Sequence, residues 1–513
     1  MPMKTSLKFL SVILVLLFIA IPLLSCEDKG EETSEVSAVS ENPNSFFGLD
    51  IPENLNFGGK TLRVLTTATV QSPTCCQIKP ESNTMYSSEN STAILTAASE
   101  CTRLVEEKLG LEVEEEVVYT WSRYGGDMYK KIYTDSLSGT TDYDFCMPCV
   151  IEAAMLATDG LLYNLKAVNN LDLSHEWWCA AFNDAVTIAD SCYFITGDIG
   201  TSSKDATLFV AFNKKMVQSM NLTEKYGYDS LYDMVEAKAW TQDVMYEMAK
   251  SVYQDLNRNN RSDIGDVLGI AGQDGIIYWM LEGADENIIG RDSDGYPVIT
   301  VKNERAIKVI SDAQEYFLDS QSGFISANDY FSVSQVPVRD VIVPEFKADR
   351  CLFFMDSLMN LENIRDMESD FGVLPCPLYD KTQENYHSNI GCWSTACICI
   401  PTSTVGDELD KTAWFLEALG AVSKKKLNPV YYEQTLQYQI ARDDESMKML
   451  DIIFETRTPE LAEAFRWGGL QDVVSGMLKA PKDTFVSAFE AVEDAAKAAI
   501  EETVEEFKSR QNI

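Results

Sequence analysis

The sequence predicts an α/β protein with room for two large lobes. A strand–helix–strand run opens its folded part, and further strand candidates alternate with helical stretches downstream. Once an N-terminal export signal (residues 1–25) is set aside, 488 residues remain. Strand, helix, strand implies parallel pairing, and that length exceeds one simple core.

The elements follow in order. Lys4 and Lys8 precede an apolar run over residues 9–24, and Leu23-Leu24-Ser25-Cys26 closes it. A basic start, an apolar middle and a small residue before the cut make a secretory signal. The run of about 16 residues is short for a membrane-spanning helix, which needs roughly 20. The tetrapeptide resembles the lipobox of bacterial lipoproteins, which implies diacylation of Cys26 and a chain tethered outside the cytoplasm. Residues 26–54, acidic and Ser-rich, read as that flexible tether.

The folded part begins near Gly59, with Leu62, Val64 and Leu65 marking a strand. Ile94, Ala97, Ala98, Cys101, Leu104 and Val105 fall at helical spacing after Thr92, with Gly110 as the C-terminal cap. Leu111, Val113 and Val117 mark the next strand. Residues 143–148 read as extended, then a helix runs to Leu161; later strand candidates are residues 191–196, 206–212, 351–355, 371–375 and 394–401. At the end, Phe485, Phe489, Val492, Ala496, Ile500, Val504 and Phe507 form one helical stripe behind an Asp483 cap.

The charge excludes one class of partner. The full chain carries −38, and residues 1–25 hold two of its 42 basic residues and none of its 80 acidic ones, leaving −40 after the cut. Such a surface repels phosphate backbones, so no nucleic-acid binding is expected. Cysteines such as Cys351, Cys397 and Cys399 sit in apolar runs and read as small core residues.

Catalytic signatures are scarce. His175 and His387 are the only histidines, and His175-Glu176-Trp177-Trp178-Cys179 lacks the second His of a zinc-protease helix. There is no Gly-x-Ser-x-Gly elbow, and Asn54 stands where a phosphate loop ending in Gly59-Lys60-Thr61 needs Gly. No enzyme and no required cofactor is expected. One loop stands out: Asp255, Asn257, Asn259, Asp263 and Asp266 occupy positions 1, 3, 5, 9 and 12 of a twelve-residue run, with Arg261 at position 7. Short oxygen side chains at that spacing suit a structural Ca²⁺, and they equally suit a polar Asn/Asp turn.

Several blocks together resemble extracellular solute-binding proteins of the maltose-binding type. Tyr143-Asp144-Phe145 with Gly160-Leu161-Leu162-Tyr163-Asn164-Leu165 resembles their first-lobe segment, and Tyr193-Phe194-Ile195-Thr196-Gly197-Asp198 with Phe212-Asn213-Lys214 their first crossing strand. Phe371-Gly372-Val373-Leu374-Pro375-Cys376-Pro377 and Ile400-Pro401 resemble later blocks, and the likeness runs over most of residues 59–510. It implies a two-lobe periplasmic-binding-protein-like fold of type II, with lobes joined by crossing hinge strands. Lobe one would hold residues 55–205 and 392–440, lobe two 206–391 and 441–513. The partners it implies are a small solute, a sugar favoured, and the permease subunits of an ABC importer, for a monomer held at the membrane by Cys26.

Sugars need aromatic platforms with carboxylates or amides. The resemblance places Asp198, Trp279, Asp356, Trp393 and Trp467 at the cleft between lobes. Two other readings stay open on the residues alone: a secreted glycoside hydrolase with two carboxylates, and a surface lipoprotein that holds glycan without transport.

Overall fold

The computed structural model describes residues 45–68, 78–82, 92–120, 124–334, 338–437 and 444–510. All of them fall within the compact unit Asn44–Ile513. The export signal, Cys26 and most of the expected tether lie outside the described residues. Its last part is folded: Leu49 is buried, and Phe46, Phe47, Ile51 and Leu55 pack against the core.

The first sheet forms as the alternation predicts. Strands β1 (Lys60–Ala68), β2 (Leu111–Tyr119) and β3 (Phe145–Met147) pair in parallel, in the order β2-β1-β3. The crossover between β1 and β2 is the helix Ala93–Leu109. Thr92 caps its start, accepting the Leu95 N–H at 3.3 Å, and Gly110 ends it in the left-handed region at φ 63°. A Cβ at Gly110 would stand 2.4 Å from the Asn56 amide, so glycine is required there for space as well as for backbone conformation.

The second sheet gathers five strands in the order β10-β4-β9-β5-β8. These are β4 (Leu208–Asn213), β5 (Leu268–Gly272), β8 (Phe324–Ser326), β9 (Cys351–Ser357) and β10 (Phe371–Leu374). Strand β5 runs parallel to β8 and β9, while β4 is antiparallel to β9 and β10. Two small pairs complete the set: the hairpin of β6 (Ile289–Arg291) with β7 (Pro297–Ile299), and β11 (Ser388–Asn389) with β12 (Arg457–Thr458). Strands β4 and β5 of the second sheet read as apolar runs because they are covered; every residue of both is buried.

Backbone crosses between the sheets. Ile195 bridges Ile398 beside the first sheet, and Thr207 bridges Ile390 at the start of β4, so the outgoing and returning segments run antiparallel. The expected strands at 191–196 and 394–401 are extended but make only isolated bridges, such as Cys146 with Cys399 and Leu162 with Pro401. Their ladder changes partner every few residues. The helix Asp407–Gln437 packs on Ala93–Leu109, and the helix Asp444–Glu455 packs against β10. The C-terminal stripe forms the helix Phe485–Ser509, capped at Thr484 and not Asp483, with Phe485, Phe489, Ala496, Ile500 and Phe507 buried.

Nine of the ten described cysteines are buried, and all ten are free thiols. Burial pushes thiols such as Cys146 and Cys397 well above their ordinary value, which makes them inert core residues. Among the described residues no helix is long and apolar enough to cross a membrane.

Candidate functional site

In open α/β sheets, ligands meet the carboxyl ends of parallel strands. In the second lobe those ends carry Gln273 after β5, Ser326 ending β8 and Asp356 within the last turn of β9. Gln273 Nε2 donates to Asp356 Oδ2 at 2.9 Å, and the Ser357 N–H donates to Oδ1 at 2.7 Å. Burial pushes the Asp356 carboxyl up, and these donors oppose that rise. Beside it, Asp274 takes Ser326 Oγ at 2.6 Å and Lys479 Nζ at 2.6 Å.

The first lobe ends its β3 in Met147-Pro148-Cys149, whose Met and Cys side chains are buried. Over them stand two open rings. Trp393 is 37 % exposed and Tyr124 45 % exposed, with centroids 5.1 Å apart and planes at 61°. Trp393 alone among the described tryptophans reaches the exposed class. Arg466 lies over the Tyr124 ring with Cζ 4.6 Å from the centroid, and it is held there by an ion pair to Asp472. Burial against this group pushes the Tyr124 phenol up to about 12, so it stays a neutral hydrogen-bonding group.

The two walls share one strip of hinge. Leu358 N–H donates to Thr207 O at 2.9 Å, and Gly391 N–H donates to Ala206 O at 3.1 Å. Asp356 and Trp393 each lie two residues from those contacts, on either side of the same crossing backbone. An aromatic face, a guanidinium and an acidic acceptor thus border one hinge. The arrangement can stack an apolar ring face and bond hydroxyls; Asp356, already saturated by its neighbours, is an acceptor only if Gln273 yields.

The other expected residues fall elsewhere. Trp279 sits one turn into the helix Ile276–Gly283, part-buried, with its indole over Gly275. Trp467 is 3 % exposed, stacked on Phe465 at 4.7 Å and 8°, with its Nε1 donating to Thr503 Oγ1 at 2.9 Å. It is a core residue, correcting the expectation of a stacking platform; its neighbour Arg466 is the one that turns outward.

Asp198 is buried in an ion pair. Lys204 Nζ donates to it at 2.9 Å and Lys424 Nζ lies at 3.5 Å. It lines a separate polar cavity of about 290 Å³ with Lys204, Lys424, Asn428, Tyr432 and Arg457, away from the Tyr124–Trp393 rings. Its carboxylate is tied by these two lysines at the hinge. Tyr124, Gln273, Asp274 and Arg466 were not foreseen, since nothing local in the sequence marks them as facing a cleft.

The Asp255–Asp266 run forms a loop closed by its own amides. Asp255 accepts the N–H groups of Arg258 at 2.5 Å and Asn260 at 2.8 Å, and Asp266 those of Leu256 and Asp263. Asn257 Nδ2 donates to Asp263 at 2.8 Å, and Arg261 Nε lies 3.6 Å from the same carboxylate. Asn260 takes φ 63°, as expected of the residue standing where such loops place Gly. Among the described residues no three His, Cys, Asp or Glu side chains converge as a metal-ligand set.

No protein-family model matches the chain, and no curated protein matches it in sequence. Solved structures do. A cyclo/maltodextrin-binding protein in complex with maltotetraose superposes with TM-score 0.53 at 13% identity, over 86% of this chain and 97% of that one. An ABC substrate-binding protein from Listeria monocytogenes in complex with cycloalternan gives 0.52 at 13%, over 86% and 99%. UgpB from Mycobacterium tuberculosis in complex with glycerophosphocholine gives 0.52 at 15%, over 87% and 99%. Identity this low speaks to architecture, and the architecture agrees with the sheets and crossings described above: the chain has the two-lobe α/β fold of type II periplasmic binding proteins.

Proposed function

We propose that this protein is an extracytoplasmic solute-binding lipoprotein that captures a small polyhydroxylated solute, a sugar or oligosaccharide, between its lobes and delivers it to an ABC importer. The observation that carries this reading is the open Tyr124–Trp393 pair beside Arg466 at the hinge, in a fold whose solved neighbours include two bound to oligosaccharides. An aromatic face 37 % exposed at a hinge offers a platform on which a sugar ring can stack. The lipobox-like Leu23-Leu24-Ser25-Cys26 supports anchoring through Cys26 and delivery at the membrane surface.

The test is a thermal-shift panel of mono- and oligosaccharides, polyols, amino acids and peptides, followed by calorimetry on any hit. Ligand that binds the native state alone raises the midpoint. A saccharide or polyol hit is expected, with no product in the same wells. A panel in which only amino acids or peptides bind would sink the solute class, and released reducing sugar would favour hydrolysis. For the anchor, Cys26→Ser expressed in a bacterial host should move the protein from the detergent phase to the aqueous phase.

A further inference from the structure

Behind the aromatic wall lies a buried polar cluster that solute contact alone does not explain. Glu463, in the short helix Leu461–Phe465, is 9 % exposed. Its Oε1 accepts the Cys392 N–H at 3.1 Å, Tyr278 Oη donates to Oε2 at 3.1 Å, and the neighbouring Trp393 N–H also favours the ionised carboxylate. Asn389 Nδ2 donates both to Tyr278 Oη at 3.1 Å and to Glu282 Oε2 at 2.8 Å. Beside Glu282 lies Glu460, whose oxygens take the N–H groups of Ile288, Ile289 and Ala462 at 2.9, 3.2 and 2.9 Å.

Three carboxyls therefore share one dry space, and among the described residues no Lys or Arg makes an ion pair with any of them. Desolvation dominates. It pushes Glu282 well above the ordinary range and raises Glu460 as well. Glu463 is pushed up to about 7, because its backbone donors and Tyr278 partly offset burial.

We propose that Glu463 is a proton-responsive positioning residue of the solute cleft: as a carboxylate it clasps the Cys392 N–H, next in the chain to Trp393, and so fixes the Trp393 wall, and on protonation that clasp slackens. This rests on reading the cleft as the solute site. The groups facing Glu463 are Tyr278 and Glu282 from the helix Ile276–Gly283, Glu460 from the cap of its own helix, and Cys392 from the returning hinge. His387 lies further along that hinge, bonded to Thr458 Oγ1 at 2.7 Å. From the first lobe come Cys149 and Tyr124, the latter carrying Arg466 and Asp472 behind it.

The sign follows from linkage. Solute that needs the wall fixed binds the ionised form better, so binding releases a proton and affinity falls on acidification.

The experiment uses the full soluble chain labelled with ¹⁵N-tryptophan, the Trp393 amide being identified by its loss in Trp393→Phe. In solute-free protein that amide is expected to titrate between about pH 5.5 and 8.5 with a midpoint near that of the carboxyl, and to be flat in Glu463→Gln, which keeps an acceptor oxygen. Tyr278→Phe removes a donor to the carboxylate and should move the midpoint upward, which serves if Glu463→Gln does not fold. With a solute in hand, wild-type affinity should weaken about three- to tenfold across that interval while the Gln variant stays level. A Trp393 amide that is flat in wild type, or that titrates alike in wild type and Glu463→Gln, overturns the inference even if a sugar binds. A titrating amide in a protein that binds no panel solute sinks the solute reading instead.

Discussion

Trp393 and Trp467 share a side chain and differ in everything around it, so they should respond oppositely to truncation. Trp467 is stacked and hydrogen-bonded in the core; Trp467→Ala should cost about 3–5 kcal/mol of stability in denaturant titration. Trp393 is one-third open, so Trp393→Ala should cost about 1 kcal/mol or less in stability yet weaken solute binding about tenfold, or about 1.4 kcal/mol. If Trp467→Ala spares stability and abolishes binding, the placement of the two is reversed. Asp198 makes a second contrast. Asp198→Ala leaves Lys204 charged in a space where burial already pulls its ammonium below the ordinary value, and should cost about 3–5 kcal/mol. Adding Lys204→Met should recover part of that loss, and an additive double mutant would deny the pairing. No sequence pattern separates these cases: a Trp or an Asp becomes wall or core according to partners such as Thr503 and Lys204, which the tertiary fold supplies.

At the scale of elements, legibility tracks how local the determinants are. The helix Ala93–Leu109 was readable because Thr92 and Gly110 cap it and its apolar stripe repeats every turn. The C-terminal helix was readable for the same reason, off by one residue at its cap. Strands β1 to β4, β9 and β10 lie within stretches that read as extended from the sequence, whereas β5, β8 and the β6–β7 hairpin are not foreseen. Segments 191–196 and 394–401 looked like strands because they are extended and apolar, yet as crossings they bond a different neighbour every few residues. The Asp255–Asp266 loop tests the reading of spacing as chemistry. Its donors are all hard oxygens, which suit Ca²⁺, but the Asn257 amide now gives its N–H to Asp263, so a cation would have to turn it. If the ion binds, Ca²⁺ should raise the melting midpoint by about 1–3 °C over EGTA, and Asp263→Ala should erase the difference. Identical midpoints in Ca²⁺ and EGTA would leave the run as a polar turn.

For the whole molecule, what matters is how few links hold two large sheets together. Among the described residues the passages between them are the stretch from Ile195 to Thr207 and its return from Ile390 to Ile398. Such links can absorb a rotation while each sheet stays rigid. Several contacts oppose free rotation, among them Arg510 on the Ala157 and Thr158 carbonyls and one made by Arg291. Arg291, at the end of β6 in the second lobe, donates through Nη2 to Asp184 O at 3.1 Å and Ala185 O at 2.6 Å. Those carbonyls close the helix Ala180–Val186, which is tied to the first lobe by Cys179 N–H to Thr196 O at 3.0 Å. Arg291 therefore clips the two lobes together at the C-terminal end of that helix, where a cation is favoured. Each charge-assisted bond is worth about 1.5–3 kcal/mol, enough to change an open-to-closed ratio by about tenfold or more. Arg291→Ala should leave each lobe folded and enlarge the radius of gyration of the solute-free protein in small-angle scattering, while saturating solute should draw variant and wild type to the same compact value. Solute affinity should fall in step, because part of the binding free energy then goes into closing the lobes. Equal radii for the two solute-free proteins would mean that Arg291 bears no load between the lobes, and that closure depends on the hinge and on contacts such as those of Arg510.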